Sequence, residues 1–382
     1  MRNILNRIYL KLKFLAKLPI LINEIIKFEL YRKNKINIDY YLCRSRYGQF
    51  LSGTYLFYIQ CKSNSSVIYI SDKKYFKTLK LLLSKKNIYI TRNLQFYDRI
   101  RFKFKNQFSE NFHTNYQYQE VIPVNSDLVK INIYNLSTKY FIKLKQRING
   151  KKVILIAIKE KSYYQNNPIF KNYQQPDFEF DYFDRFVELT KYYCDKGYFV
   201  IRVGCNYNKA NFLHENFCDY ASSKSQNFEN DILIANISDL VISNQTGFDV
   251  LPVLWFKKPL IHFTIRNYRF MLDWPGIHSC PMLIYKNGKL LNLKEQIELE
   301  SKLWSKTFDQ NEIYLNYQKN NITLKKIEPN EIIRIVDNFI INNTVFYDNI
   351  WSVWHEYNDE IFQFLNRDIP SEHHNKMINV CN

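Results

Sequence analysis

Three apolar segments between residues 197 and 263 constrain the fold more than any other feature of the chain. They are Phe199–Val203, which precedes Gly204; Leu240–Ser243, which precedes Asn244–Gly247; and Leu260–Phe263, which follows Pro259. Short apolar runs bounded by polar or glycine-containing loops are typical of buried strands. Open parallel sheets bind ligands outside the carboxyl ends of their strands, so this pattern predicts an α/β site for a nucleotide.

The loop from Ser243 to Gly247 is the best candidate for holding phosphate. It leads into Phe248–Phe256, an apolar run that predicts a short helix. A helix start offers unpaired N–H groups, Gly247 allows a ligand to approach closely, and the hydroxyls of Ser243 and Thr246 add donors. The alternative, of equal weight, is that Thr246 is only the helix N-cap and Gly247 only a turn residue.

Arg202 lies inside the apolar run Tyr198–Val203, where a buried charge is costly unless it is paired. We therefore expect it to contact an anion. A ligand diphosphate is one candidate, and an internal ion pair with Asp219 or Asp231 is the other. Asp231 stands at the start of an apolar helical pattern, so a position at the N-cap or in the first turn is its default.

Six short elements follow one another between about residues 150 and 300. They are Ile158-Lys159-Glu160 with Tyr163; Gly197; Val200–Gly204; Asp219-Tyr220-Ala221; Asp231-Ile232-Leu233; and Thr246-Gly247 ahead of Pro252. In order and spacing they resemble a bacterial glycosyltransferase family of surface-polysaccharide gene clusters, of the two-domain GT-B type. The resemblance implies an α/β fold of two Rossmann-like domains facing a cleft. It also implies transfer of a sugar from a nucleotide-sugar donor to a glycan or lipid-linked acceptor, with neither a metal nor another cofactor.

The chemistry of the loop and the resemblance together assign a set of residues to the donor site. They are Lys159, Arg202, Gly204, Asp219, Asp231, Ser243, Thr246 and Gly247. Two of these positions depart from the family pattern: Lys159 stands where the family has Arg, which replaces a bidentate guanidinium by a point charge, and Thr246 stands where the family has Ser, which keeps the hydroxyl.

A second loop, with Arg46, Gly48 and Gln49, resembles the Gly-His loop that begins the first helix of many GT-B acceptor domains. A histidine in that loop can act as general base towards the acceptor hydroxyl, whereas Gln49 cannot. Another residue is then the base, or none is needed, or activity has been lost. Glu160 is the candidate substitute, because the resemblance places it at the C-terminal end of a strand; a surface or N-cap carboxylate is the alternative.

Four segments are expected. Residues 1–38 form a basic amphipathic helical segment, 39–148 an acceptor-side α/β domain, 149–300 the donor domain, and 301–382 C-terminal helices that cross back to the first domain as the resemblance implies. A linker is predicted at 139–150, and a lid over the site at 161–181. The strand predictions in the first domain are 55–59, 67–70 and 88–90, with a helix at 75–84.

The chain carries 54 Lys and Arg against 36 Asp and Glu, a net charge of +18, which favours an anionic partner. Residues 1–35 interleave basic and apolar side chains at helical spacing. Their apolar runs are too short to span a bilayer, which takes roughly 20 consecutive apolar residues. We expect this segment to lie on an anionic membrane surface or to dock as an ordinary helix. Both alternatives make the protein cytoplasmic, and binding to the membrane surface places it at the inner face of the plasma membrane. Seven scattered cysteines without a C-x-x-C pair favour a reducing compartment and no zinc site.

Two other functions compete with sugar transfer. The first is a catalytically degenerate GT-B-like binding protein, which Gln49 favours. The second is a basic nucleic-acid-binding protein, which the charge permits; however, the sequence contains no helix-turn-helix, zinc-finger or RNA-binding signature.

Overall fold

The computed structural model describes residues 38–43, 51, 66–71, 88–91, 112–114, 136–166, 180–205, 208–244, 246–265, 277–292, 295–296, 298–299 and 310–342. The chain divides into two compact units. The first comprises residues 1–46, 53–117 and 127–132, and the second comprises residues 47–52, 118–126 and 133–382.

The first unit contains a four-stranded parallel sheet. Its strands are β1 (Ile38–Cys43), β2 (Ser66–Ser71), β3 (Ile88–Thr91) and β4 (Phe112–Thr114), in the order β3-β2-β1-β4. The predicted strands at 67–70 and 88–90 are confirmed by β2 and β3. The predicted strand at 55–59 and helix at 75–84 lie outside the described residues, as do residues 1–35 and residues 351–364 of the predicted C-terminal segment.

The second unit begins with alternating helices and strands. These are α1 (Lys139–Ile148), β5 (Val153–Ala157), α2 (Lys161–Asn166), a 3-10 turn (Phe183–Phe186), α3 (Val187–Asp195), β6 (Phe199–Val203), β7 (Phe217–Asp219), α4 (Phe228–Ile237), β8 (Leu240–Ser243), a π-helical turn (Leu251–Trp255), β9 (Leu260–Ile265) and β10 (Ile277–Pro281). The remainder consists of β11 (Leu283–Lys286), β12 (Lys289–Leu290), α5 (Gln310–Lys319), β13 (Ile322–Lys325) and α6 (Pro329–Asn342).

Strands β5 to β10 form one parallel sheet in the order β10-β9-β8-β5-β6-β7. Numbered along the chain, this is the order 3-2-1-4-5-6 of doubly wound α/β folds. The described side chains of β5, β6 and β8 are buried throughout, as expected for parallel strands covered on both faces. The predictions for β6 and β8 are confirmed at both ends.

Helices α3 and α6 pack on one face of this sheet. Leu189 of α3 and Ile335 of α6 share a buried apolar cluster with Ile154 and Ile156 of β5. Each fully buried aliphatic side chain of this kind contributes about 1.5–3 kcal/mol. The two helices are also tied together by Asp337, which accepts hydrogen bonds from Tyr192, Tyr193 and Lys196. The core therefore fixes the sheet from which the candidate site projects.

The predicted linker at 139–150 is wrong, because residues 139–148 form α1. Thr138 caps this helix by accepting from the backbone N–H of Phe141, and Asn149 ends it in the left-handed conformation with φ 47°. Phe141, Leu144 and Ile148 are buried at helical spacing. The Asn149-Gly150 end of the segment suggested a linker, whereas the apolar spacing is what decides the structure.

Two smaller features complete the second unit. Strands β11, β12 and β13 form an antiparallel sheet whose β11–β12 hairpin turns at Asn287 and Gly288, with φ 49° and 77°. The short helix predicted at 248–256 is a turn followed by the π-helical residues Leu251–Trp255. No helix within the described ranges is both long enough and apolar enough to cross a bilayer.

Candidate functional site

The strand order creates a switch point between β5 and β8. The chain leaves β5 towards β6 on one side of the sheet and leaves β8 towards β9 on the other, so the loops after these two strands diverge. Ala157, Val203 and Ser243 lie side by side where their strands end. The loop Ile158–Glu160 follows β5, and the loop Asn244–Gly247 follows β8. Both loops carry residues that the sequence assigns to the site.

Asn244 connects these two loops. Its side-chain Oδ1 accepts from the backbone N–H of Lys159 at 2.5 Å, and its backbone N–H donates to the carbonyl of Ala157 at 3.4 Å. The bond to Lys159 requires an acceptor, which fixes the orientation of the amide. The Nδ2 of Asn244, a residue that is 2% exposed, then has no hydrogen-bond partner among the described residues. An unsatisfied buried donor costs about 1–3 kcal/mol, so its place at the switch point indicates a ligand that supplies an acceptor.

Asn244 is not among the site residues predicted from the sequence. The signal was present, since a polar side chain directly after a buried strand marks the ligand edge of a parallel sheet. The hydroxyls of Ser243 and Thr246 received the assignment because hydroxyls are common phosphate donors.

Ser243 and Thr246 direct their hydroxyls towards Asp249. Oδ2 of Asp249 accepts from Ser243 Oγ at 2.8 Å and from the N–H of Thr246 at 2.7 Å, and Oδ1 accepts from Thr246 Oγ1 at 2.8 Å. Thr246 and Asp249 thus close this turn through the Asp249 carboxylate, and both hydroxyl protons are used within the chain. The N-cap position of the π-helical turn is Val250, and no side chain caps it. Gly247 is exposed in the same turn.

Arg202 lies within an internal ion network. Its Nη2 donates to Oε1 of Glu160 at 2.6 Å, and its Nη1 lies 3.3 Å from Oδ2 of Asp219 and donates to the carbonyl of Asn208 at 2.9 Å. The guanidinium also stacks over the Phe183 ring at 4.8 Å. Arg202 is 1% exposed, so these are the contacts of the ion-pair alternative, with Glu160 as a partner that the sequence did not suggest.

Glu160 is likewise occupied by the chain. In addition to Arg202, its carboxylate accepts from the N–H of Phe183 at 3.3 Å and from Ser162. A base must be able to reach the proton that it removes. In this arrangement Glu160 holds the β5 loop against β6, and its role as base stays a prediction.

The remaining predicted donor residues lie near the same edge in supporting positions. Asp219 accepts from the N–H of Ala210 and from Ser222, which fastens the loop after β6. Asp231 accepts from the Tyr220 hydroxyl at 2.7 Å and stands in the first turn of α4, its default position. Gly204 has φ +96°, a conformation that favours glycine.

Lys159 is the predicted cation that lies beside Asn244. Its side chain is half-buried, with Nζ 5.6 Å from the centroid of the Phe180 ring. Its backbone is held on both sides, because its N–H bonds to Asn244 and its carbonyl accepts from the N–H of Asp181 at 3.1 Å. The switch point therefore combines one lysine and one unsatisfied amide.

The predicted acceptor-side residues Arg46, Gly48 and Gln49 lie outside the described residues. Within the described ranges, no group of three His, Cys, Asp or Glu side chains is arranged to hold a metal ion.

The strand order and the site define the second unit as a doubly wound α/β fold with its candidate site at the switch point. No protein-family model matches the sequence, and no curated protein matches it.

Solved structures are similar to the chain at low identity. The ADP-heptose lipopolysaccharide heptosyltransferase II of E. coli is 8% identical with a TM-score of 0.46, over 81% of this chain and 99% of that one. A glycosyltransferase family 9 protein of Veillonella parvula is 9% identical with a TM-score of 0.46, over 80% and 98%. TibC of enterotoxigenic E. coli, described as an iron-containing dodecameric glycosyltransferase, is 10% identical with a TM-score of 0.39, over 81% and 77%. At this level the likeness assigns neither a substrate nor the role of any residue.

Proposed function

We propose that the second unit binds a nucleotide-sugar donor at the β5/β8 switch point and that the protein transfers the sugar to a glycan or lipid-linked acceptor. The observation that carries the proposal is the buried Nδ2 of Asn244, which lacks a partner among the described residues and lies where doubly wound sheets bind nucleotides. Sugar transfer as the reaction rests on the sequence resemblance in residues 150–300. Synthesis of surface polysaccharide, at the inner face of the plasma membrane, follows from the same resemblance.

The chemistry at the site suits an anionic leaving group. Sugar transfer breaks the bond between the anomeric carbon and the diphosphate oxygen, and negative charge accumulates on the departing diphosphate. Donors and cations fixed in advance stabilise such charge. Lys159 supplies the cation, and Asn244 supplies a neutral N–H that requires no reorganisation, because its amide is already held by the backbone of Lys159. These groups serve a transferase that needs no metal.

The alternative of a catalytically degenerate binding protein is favoured by one specific observation. Glu160, the candidate base, has its carboxylate engaged by Arg202 at 2.6 Å. Removal of a proton from an acceptor hydroxyl by Glu160 requires this contact to open. Binding of the nucleotide without transfer is the outcome that this alternative expects.

Nucleotide binding is the first test, made by calorimetric titration with UDP, GDP, ADP and dTDP and by thermal unfolding. A nucleotide at 100 times its Kd stabilises the folded state by about 2.7 kcal/mol. For a unit of roughly 250 residues this raises Tm by about 5–10 °C. Release of the nucleoside diphosphate from the matching nucleotide sugar then separates transfer or hydrolysis from binding alone.

Asn244→Asp tests the carrying observation directly. The new carboxylate keeps an acceptor for the N–H of Lys159 but replaces the Nδ2 donor by a negatively charged oxygen, so it repels a diphosphate. We expect the Kd to rise more than about tenfold, which corresponds to 1.4 kcal/mol.

Asn216→Asp is the matched control. Asn216 is also a buried asparagine bonded to the chain, but it precedes β7 at the opposite edge of the sheet. Its replacement should alter stability and leave nucleotide affinity unchanged. The proposal fails if none of the four nucleotides binds wild-type protein, or if both variants bind with the wild-type Kd.

A further inference from the structure

Four hydrogen bonds converge on the buried carboxylate of Asp249. Besides the N–H and Oγ1 of Thr246 and the Oγ of Ser243, Nε2 of His262 lies 2.9 Å from Oδ2. The donors come from three places: the last residue of β8, the loop after it, and the neighbouring strand β9. Asp249 is 1% exposed. One side chain thus ties the loop that contains Asn244 to two strands of the sheet.

The arrangement is not that of a catalytic triad. In a serine nucleophile triad the imidazole lies between the hydroxyl and the carboxylate, since it must take the hydroxyl proton. Here Ser243 and His262 both bond to the same oxygen of Asp249, and the serine hydroxyl is fully buried. The carboxylate accepts from both residues and activates neither.

The burial of this charge needs a reason other than stability. Removing a carboxylate from water costs several kcal/mol even after relaxation, and an apolar core of the same shape is often as stable. What the four donors provide is a fixed position for Ser243 and Thr246, which flank Asn244 in the sequence. Loops of this kind are otherwise among the mobile parts of a fold. Asn244 lies in the middle of the segment, and its second anchor is the backbone of Lys159.

We propose that Asp249 is the positioning residue of the nucleotide site: through Ser243, Thr246 and His262 it fixes the β8 loop, so that the amide of Asn244 is presented to the ligand. This inference rests on the proposed function. Asp249 itself touches no ligand in this scheme, and the chain supplies three hydrogen bonds to its Oδ2 and one to its Oδ1. His262 contributes the anchor on β9, where it pairs in register with Ser243.

Asp249→Asn is the main test. It keeps the size of the side chain. However, the amide has one acceptor oxygen, whereas the carboxylate accepts the four hydrogen bonds on two. We expect the Kd for whichever of UDP, GDP, ADP and dTDP binds to rise about tenfold, equivalent to 1.4 kcal/mol. The measurement is made well below Tm, where each variant is fully folded, so a purely structural role leaves the Kd unchanged. Ser243→Ala, which removes only one of the four bonds, should weaken binding by a smaller factor.

Asp337→Asn is the matched control, because Asp337 also collects hydrogen bonds from Tyr192, Tyr193 and Lys196 in the same unit but joins α3 to α6. It should lower Tm and leave the Kd unchanged. In the double variant Asn244→Asp with Asp249→Asn, the two losses of affinity should not add, because both act through the same amide.

Hydrogen exchange gives a measurement that needs no ligand. The Thr246 N–H donates to Asp249 at 2.7 Å, so peptides covering 243–247 should lose protection in Asp249→Asn and keep it in Asp337→Asn. Unchanged protection overturns the inference. Unchanged nucleotide affinity in Asp249→Asn, with wild-type protein binding normally, also overturns it and leaves the proposed function standing. Absence of nucleotide binding by the wild type removes the proposed function, and the inference with it.

Discussion

Arg202 provides the sharpest test of the interior of the site, because its contacts predict a large and ordered set of stability losses. Arg202→Met removes the cation that separates the carboxylates of Glu160 and Asp219, whose side chains are 5% and 17% exposed. Breaking a buried ion pair by removing one partner costs about 3–5 kcal/mol, because the remaining charge stays buried. We expect a loss near the middle of that range, about 4 kcal/mol, since both carboxylates lose their cation.

Substitution of its partner Glu160 should lower the free energy of unfolding less than substitution of Arg202 itself. Glu160→Gln leaves Arg202 paired with Asp219, so the loss is that of one charged hydrogen bond, about 1.5–3 kcal/mol. Arg334→Met is the matched control for Arg202→Met. Arg334 pairs with Glu331 at 2.6 Å on the surface of α6, where its side chain is 45% exposed, and such pairs contribute about 1 kcal/mol or less.

Urea unfolding of the three variants, analysed for the midpoint at constant slope, gives the free energies of unfolding. Thermal unfolding should show Arg202→Met melting about 8–16 °C below the wild type. The reasoning is refuted if Arg202→Met costs no more than Arg334→Met. If that small loss is accompanied by loss of nucleotide binding, then Arg202 contacts a ligand phosphate, which is the other role that its sequence position permits.

Two further results are expected. Gly204→Ala should lower the free energy of unfolding by about 1–3 kcal/mol, because Gly204 has φ +96° and nothing lies within 4 Å of the added Cβ, so the cost is backbone strain alone; an unchanged urea midpoint contradicts this. Stability should fall above about pH 9: burial raises the pKa of Cys194 from 9.0 to about 12 and raises the pKa of Tyr193 and Tyr220 above 10.0, so the unfolded chain loses these protons first and is favoured as pH rises. Urea midpoints that stay constant through this range contradict that expectation.

Strands β6, β8 and β9 of the second unit were predictable because their signal is local. A short apolar run such as Val200-Ile201-Arg202-Val203 before a glycine is typical of a buried strand, and the structure places β6 at the expected residues. The α1 helix was not predicted, although its apolar spacing was legible. The Asn149-Gly150 pair at its end is typical of a linker, and it outweighed the positions of Phe141, Leu144 and Ile148.

The candidate site was predictable in position but not in its pairings. The sequence placed polar residues at the ends of β5, β6 and β8, and parallel pairing brings such ends together. It could not reveal that Arg202 meets Glu160, because the two are 42 residues apart and their contact depends on the register of β5 against β6. Nor could it show that the hydroxyls of Ser243 and Thr246 are used by Asp249, since a capping residue and a phosphate ligand have the same sequence pattern.

The hydrogen-bond network of Asp249 contacts the loop of Asn244 more directly than the network of Arg202 does, so the two should affect nucleotide binding differently. Asp249 bonds directly to Ser243, which precedes Asn244, and to Thr246, which stands two residues after it. The described contacts lead from Arg202 to Asn244 through Glu160 and then through the backbone of Lys159. The backbone of Lys159 follows β5 directly, so its position depends less on the Glu160 side chain. Loss of Asp249 should therefore weaken nucleotide binding more than loss of Arg202 does, and loss of Arg202 should lower the free energy of unfolding more than loss of Asp249 does. If the same variant showed the larger loss both in nucleotide affinity and in the free energy of unfolding, the two loops would move as one body. Asn244 would then be held by the edge of the sheet as a whole.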